Sequence, residues 1–169
     1  MNIGGYMKKF TPTYVFDSIS DIDGDFLKRE GISCVLLDID NTLVPDNAPC
    51  PDARAEAFIE LLKRKGIKPC LISNNKQSRV ESFNAKLGLK AVHRAHKPLT
   101  RKMLRAVKEL GAKKESVLFI GDQLLTDIYA GNRCGIRTCL VTPISLEREN
   151  CFFKLKRFIE KKVLSRNFR

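Results

Sequence analysis

Long apolar runs are missing from this chain. None approaches the ~18 residues that a membrane-spanning helix requires, so an integral membrane protein is not expected. The first ten residues, Met1 to Phe10, lack the extended apolar stretch of a secretory signal. The six cysteines, at 34, 50, 70, 134, 139 and 151, contain no CxxC pair. That argues against a zinc site or a disulfide framework. Cys34, Cys70 and Cys139 fall inside apolar runs, where a thiol behaves as a small buried hydrophobe. A reducing cytoplasm fits this usage. Internal repeats and low-complexity linkers are also absent, and no insert is long enough to form a second, lid-like domain.

What remains is a chain of 169 residues, 43% hydrophobic and 30% charged, which suits one domain (1–169) with a sizeable core. Its net charge is +12. Such a balance fits nucleic acid, an anionic membrane or a phosphorylated substrate. The charge is uneven. Residues 151–169 hold seven Lys or Arg against Glu160 alone, a net +6 and half the total. A uniformly basic nucleic-acid surface is therefore not expected.

The periodicity predicts alternating strands and helices. Ile32 and Val35 to Leu37 read as a strand buried on both faces. Prolines at 45, 49 and 51 exclude a helix directly after it. Asp52 to Lys65 has helical spacing and stops at Gly66. A strand over Ile67 to Ser73 follows, then a helix capped by Asn74 or Asn75 and running to Leu87. Leu89 to Val92 make a short strand. Pro98 is expected in the first turn of a helix whose apolar face carries Leu99, Met103, Leu104, Val107 and Leu110. The strand Ser116 to Gly121, a helix from Leu124 to Cys134 and the strand Ile136 to Val141 complete the pattern. Residues 1–31 read as a packed N-terminal extension, with a helical turn near Phe26 and Leu27. Residues 145–169 read as a basic C-terminal helix, with Phe152, Leu155, Ile159 and Val163 along one face. The fold class is α/β: a three-layer, Rossmann-like arrangement around a central parallel sheet, with little or no cap domain.

Polar residues end these apolar runs. Asp38 and Asp40 follow the first strand, Ser73 the second, Lys97 lies just past the third, and Asp122 and Asp127 follow the fourth. In a parallel sheet all these ends share one edge, where such sheets bind ligands. The chemistry is coherent. A carboxylate can act as nucleophile, and a second acid can protonate a leaving oxygen and then deprotonate water. A hydroxyl and an ammonium can hold phosphoryl oxygens. Clustered carboxylates attract a hard divalent cation such as Mg²⁺. Taken singly, Ser73, Asp122 and Asp127 also suit helix caps, and Lys97 a solvated surface. His93 and His96 are expected at the surface or in packing, because Mg²⁺ prefers oxygen. Asn132 and Arg133 are expected to fix a helix end.

The motifs Asp38-Ile-Asp-Asn-Thr42, Leu71-Ile-Ser-Asn74, Lys97-Pro98 and Gly121-Asp-Gln-Leu-Leu-Thr-Asp127 resemble, in order, the four motifs of the haloacid dehalogenase superfamily of phosphatases. The resemblance runs from about Ile32 to Val141. It implies Asp38 as nucleophile through an aspartyl-phosphate, Asp40 as general acid/base, and Ser73 and Asn74 at the phosphate. Lys97 neutralises charge. Mg²⁺ is held by Asp38, Asp122 and the backbone carbonyl of Asp40. Asp127 supports the metal or orients Lys97, and Thr42 fixes the turn after the nucleophile. His96-Lys-Pro98 and Gly131-Asn-Arg133 add similarity to the small YqeG-type branch, subfamily IIIA, which includes phosphatidylglycerophosphate phosphatases. The branch implies, as one substrate, a lipid headgroup phosphate in phospholipid synthesis; the basic flanks of the C-terminal helix suit peripheral contact with an anionic membrane, beside packing of its apolar face on the sheet. The alternatives are phosphate on a protein, a nucleic acid or a small soluble ester, or a non-catalytic regulatory protein on the same fold.

Overall fold

The structure is a computed structural model that describes residues 9–46 and 48–145. The expected basic helix over 145–169 falls, from residue 146 on, outside the described residues. Six strands form one parallel sheet: β1 Tyr14–Phe16, β2 Cys34–Leu37, β3 Lys68–Ile72, β4 Lys90–Val92, β5 Val117–Gly121 and β6 Arg137–Val141. Their order is β1-β6-β5-β2-β3-β4. The chain moves outward from β2 through β3 to β4, then returns to the other side of β2 as β5. The order therefore reverses between β2 and β5, and the carboxyl ends of these strands border the crevice where a ligand fits.

Alternate strand residues serve two cores. Val35, Leu37, Leu71, Leu118 and Ile120 pack with α1 (Gly24–Arg29), α2 (Ala53–Arg64) and α3 (Gln77–Asn84) through Leu27, Phe58, Ile59, Leu62, Val80 and Phe83. Cys34, Leu36, Cys70, Ile72 and Phe119 pack on the other face with α4 (Arg101–Glu109) and α5 (Tyr129–Cys134) through Met103, Ala106, Val107 and Ala130. Helices cover both faces, which is why the central strands read as unbroken apolar runs. The expected three layers are present.

Several boundaries differ from the sequence expectation. β1 lay hidden in the N-terminal stretch. It is three residues long and sits on the sheet edge beside β6, with Tyr14 and Phe16 meeting Phe26 edge to face. The helix after β3 starts at Gln77, with Lys76 at its N-cap, not Asn74 or Asn75. Both asparagine side chains are used elsewhere, as shown below. The helix expected at Pro98 starts at Arg101, so Leu99 lies in a turn and is 59% exposed instead of joining the apolar face. The segment after β5 opens with a wide π-type turn, Leu124–Ile128, before α5 begins. Among the described residues, no helix is long and apolar enough to cross a membrane, and Cys34, Cys50, Cys70, Cys134 and Cys139 are free thiols. The stretch between β2 and α2 holds only an isolated bridge between Asp40 and Val44 among its described residues.

Candidate active site

Asp38, the first residue past β2, is fixed by its own backbone: its N–H donates to the Ile120 carbonyl on β5, 3.0 Å away. Its side chain points into a dry setting and is 9% exposed. Lys97 reaches it from the loop after β4. The Lys97 ammonium lies 2.6 Å from Asp38 Oδ1 and 2.8 Å from Asp127 Oδ1, with the lysine side chain 4% exposed. Asp127 is held at its second oxygen by the Gln123 N–H at 3.0 Å. It presses directly on β5, because a Cβ at Gly121 would lie 2.5 Å from the Asp127 carboxyl group. Glycine at 121 is what lets the carboxylate come this close.

Asp122 sits beside this pair. Thr42 donates to its Oδ1 at 3.3 Å, and its Oδ2 is buried without a hydrogen-bond partner. Ligand oxygens of Asp38, Asp122 and Asp127 all lie within 4.8 Å of one another. Burial pushes Asp122 up to about 8, and the neighbouring Asp127 and Asp38 push in the same direction. Asp38 is also raised by burial, against the pull of Lys97. For Lys97, burial lowers the pKa, but Asp127 and Asp38 outweigh it and hold the ammonium above its ordinary range.

Asp40 faces a different set of partners. Its Oδ2 accepts from Asn75 Nδ2 at 2.5 Å and its Oδ1 from Arg79 Nη2 at 2.9 Å. Asn74 grips the Lys97 loop at both backbone groups: its Oδ1 accepts from the Lys97 N–H at 2.7 Å and its Nδ2 donates to the Lys97 carbonyl at 3.1 Å. This amide, expected at the phosphate, is thus committed to placing Lys97. The Ser73 hydroxyl accepts from the Asn75 N–H at 3.1 Å. Its own proton stays available to an incoming oxygen.

Asp38, Asp40, Ser73, Asn74 and Lys97 meet in one open cleft of about 180 Å³, together with Asn41, Asp46, Asn75, Gln123 and Thr126. Arg133 turns away to the Pro98 carbonyl, and Asn132 holds the backbone of Lys9 and Thr11. Both were expected to fix a helix end; their side chains instead tie α5 to neighbouring segments. Asn75 and Arg79 are the residues the sequence reading missed. Asn75 stood next to a recognised motif, whereas Arg79 looks like any charged residue on a helix.

The donor set fits a hard cation. Among the described residues, Asp38 and Asp127 share the single Lys97 ammonium, and Asp122 beside them makes no ion pair. The orphaned Asp122 oxygen faces the same cluster. One divalent cation with oxygen ligands answers both.

A family model for haloacid dehalogenase-like hydrolases matches residues 19–135. The chain is 36% identical over 158 residues to the probable phosphatase YqeG of Bacillus subtilis, covering 94% of this chain and 91% of that protein. It is 29% identical over 155 residues to phosphatidylglycerophosphate phosphatase 1 of Arabidopsis thaliana, covering 86% of this chain but only 44% of that protein. Among solved structures, the cobalt-bound deoxy-D-mannose-octulosonate 8-phosphate phosphatase of Haemophilus influenzae shares the fold. Its TM-score is 0.50 at 19% identity, over 69% of this chain and 81% of that one. With the strand-end acids, the lysine bridge and these likenesses in hand, the chain belongs to the haloacid dehalogenase-like hydrolases.

Proposed function

We propose that this phosphatase, a hydrolase of phosphate monoesters, works through a covalent intermediate on Asp38. The observation that carries the reading is the buried bridge of Lys97 between Asp38 and Asp127, beside the unpartnered Asp122 oxygen. The first step forms a bond from an Asp38 oxygen to phosphorus and breaks the bond from phosphorus to the leaving oxygen. Asp40, as the acid, gives that oxygen its proton. In the second step Asp40 takes a proton from water as the water attacks phosphorus, and the bond to Asp38 breaks. Ser73 donates to a phosphoryl oxygen, and Lys97 offsets charge as the phosphate enters. Asp38, Asp122 and the Asp40 carbonyl would hold Mg²⁺, which when bound neutralises charge on the phosphoryl group.

The substrate we favour is a lipid headgroup phosphate at an anionic membrane. A cleft of about 180 Å³ admits a phosphoryl group and leaves the rest of the ester outside, whereas sites that enclose a whole small ligand run roughly 300–1,000 Å³. The two most exposed large hydrophobics among the described residues, Leu125 and Leu99, each lie two residues from a cleft residue, Gln123 and Lys97. From Lys90 to Lys108 the chain carries seven Lys or Arg and no acid. Exposed apolar side chains among basic ones suit contact with an anionic bilayer. The likeness to phosphatidylglycerophosphate phosphatase 1 supports the same substrate class.

The test is a phosphate-release panel with Mg²⁺ that spans phosphatidylglycerophosphate in anionic vesicles, sugar and nucleotide phosphates, and phosphopeptides. The lipid should be turned over with the highest kcat/KM. A phosphopeptide or soluble ester that outperforms it would overturn the substrate while leaving the phosphatase in place.

A further inference from the structure

We propose that Arg79 is a positioning residue for Asp40, clamping its carboxyl group in the orientation that delivers a proton to the leaving oxygen. The inference rests on the acid/base role proposed for Asp40. Arg79 lies on α3, two residues past its start. A charged residue there would ordinarily extend into water. Instead the Arg79 side chain is only 19% exposed, pairs with an Asp40 side chain that is 15% exposed, and lies 5.5 Å from the centre of the fully buried Phe83 ring. The burial comes at a cost. Among the described residues no acceptor meets the buried Arg79 Nε and Nη1, and a buried donor without a partner is destabilising. A stabilising role alone does not account for a guanidinium held half satisfied. Alignment of Asp40 does.

The geometry of the clamp supports this. Asp40 stands on the loop after β2, outside any strand or helix. Arg79 takes Oδ1 and Asn75 takes Oδ2, so the plane of the carboxyl group is set by two donors. Asn75 is itself anchored, with its N–H on the Ser73 hydroxyl and its carbonyl accepting from the Arg94 N–H at 2.8 Å. A carboxyl group has about four acceptor positions on its two oxygens. Arg79 and Asn75 each take one of these positions, on different oxygens. Asp40 borders that cleft and Arg79 does not, so Arg79 acts through Asp40 and not on substrate.

Proton donation matters most when the leaving oxygen is strongly basic. The experiment therefore compares wild type, Arg79→Gln, Arg79→Lys and Asp40→Asn, loaded with Mg²⁺, on an alkyl phosphate such as glycerol phosphate and on aryl phosphates of graded leaving-group acidity. Arg79→Gln should lower kcat on the alkyl ester by roughly 10- to 100-fold, less than the roughly 100- to 10,000-fold that general acid–base catalysis supplies, because the acid is misaligned and not removed. The loss should shrink steadily toward 4-nitrophenyl phosphate, with KM unchanged. Asp40→Asn should show the same trend more steeply, and Arg79→Lys should recover part of the loss. A loss of equal size on every leaving group in Arg79→Gln, with Asp40→Asn still selective, would make Arg79 merely structural and overturn the proposal. A non-selective Asp40→Asn would remove the acid role of Asp40 itself and the clamp with it, while leaving the phosphatase reading intact. Should Arg79→Gln fail to fold, Arg79→Lys decides alone: a weaker form of the same trend supports the clamp, and a flat profile sinks it.

Discussion

Gly121→Ala tests how the site is built, because it adds one methyl group at the point where β5 meets Asp127. The new Cβ would lie 2.5 Å from Cβ, Cγ and Oδ2 of Asp127. Asp127 cannot easily step aside: one oxygen holds Lys97 at 2.8 Å and the other holds the Gln123 N–H at 3.0 Å. Overpacking of this kind costs about 1–3 kcal/mol. For a chain of this size each kcal/mol lowers Tm by about 2–4 °C, so a fall of roughly 2–12 °C is expected. Displacement of Asp127 also moves Lys97 off Asp38. A misplacement of about 1 Å costs on the order of 100-fold in rate, so kcat should fall by about that factor. Gly24→Ala is the control. Its Cβ would meet the flexible Lys65 side chain, at 2.9 Å, and Leu61, far from the cleft. It should lower Tm slightly and leave kcat unchanged. Thermal melts and steady-state phosphate release read both effects. A Gly121→Ala protein with wild-type Tm and kcat would refute the argument that Asp127 holds Lys97 through its seat on Gly121.

Three further outcomes follow from the same geometry. Burial raises Asp122 to about 8 and also raises Asp38 above the ordinary carboxyl value. Both acids therefore bind protons more tightly folded than unfolded, so metal-free protein should lose stability as pH rises from about 4 to about 8. Mg²⁺ should raise Tm more at pH 8 than at pH 5, and equal shifts in chelator-controlled melts would contradict this. Lys97→Met leaves Asp38 and Asp127 without their shared cation; breaking a buried pair costs about 3–5 kcal/mol, to be read by urea unfolding together with loss of turnover. Sedimentation with vesicles of rising phosphatidylglycerol content should show binding that salt weakens. Leu99→Ser with Leu125→Ser should reduce that binding while turnover of a small soluble ester stays near wild type; unchanged binding would remove these leucines from the contact.

The sheet and the strand-end polar residues were legible because both leave marks in one dimension. Buried parallel strands read as apolar runs, and Asp38, Ser73 and Asp122 each stand just where a run stops. β1 left no such mark. Three residues on a sheet edge need only Tyr14 and Phe16 turned inward, and the next inward partner, Phe26, lies ten residues on. The asparagines misled for a related reason. Asn74 and Asn75 have the chemistry of helix caps, but tertiary bonds to Lys97 and Asp40 outcompeted the local ones. Pro98 suited a helix start, yet the turn that delivers Lys97 to Asp38 had to finish before α4 began. Arg79 was invisible because nothing local distinguishes a clamp from a solvated arginine. Only the fold brings it to Asp40.

The central claim is that Asp38 is the group that attacks phosphorus. Asp38→Asn keeps the size and shape of the side chain and removes its charge. The most direct measurement is phosphate release by purified Asp38→Asn protein, saturated with Mg²⁺ and shown to be folded by its far-UV circular dichroism and melting profile. The account predicts turnover at the detection limit, on aryl and alkyl phosphates alike, because no leaving group spares the nucleophile. Turnover near wild type in folded Asp38→Asn protein would contradict it.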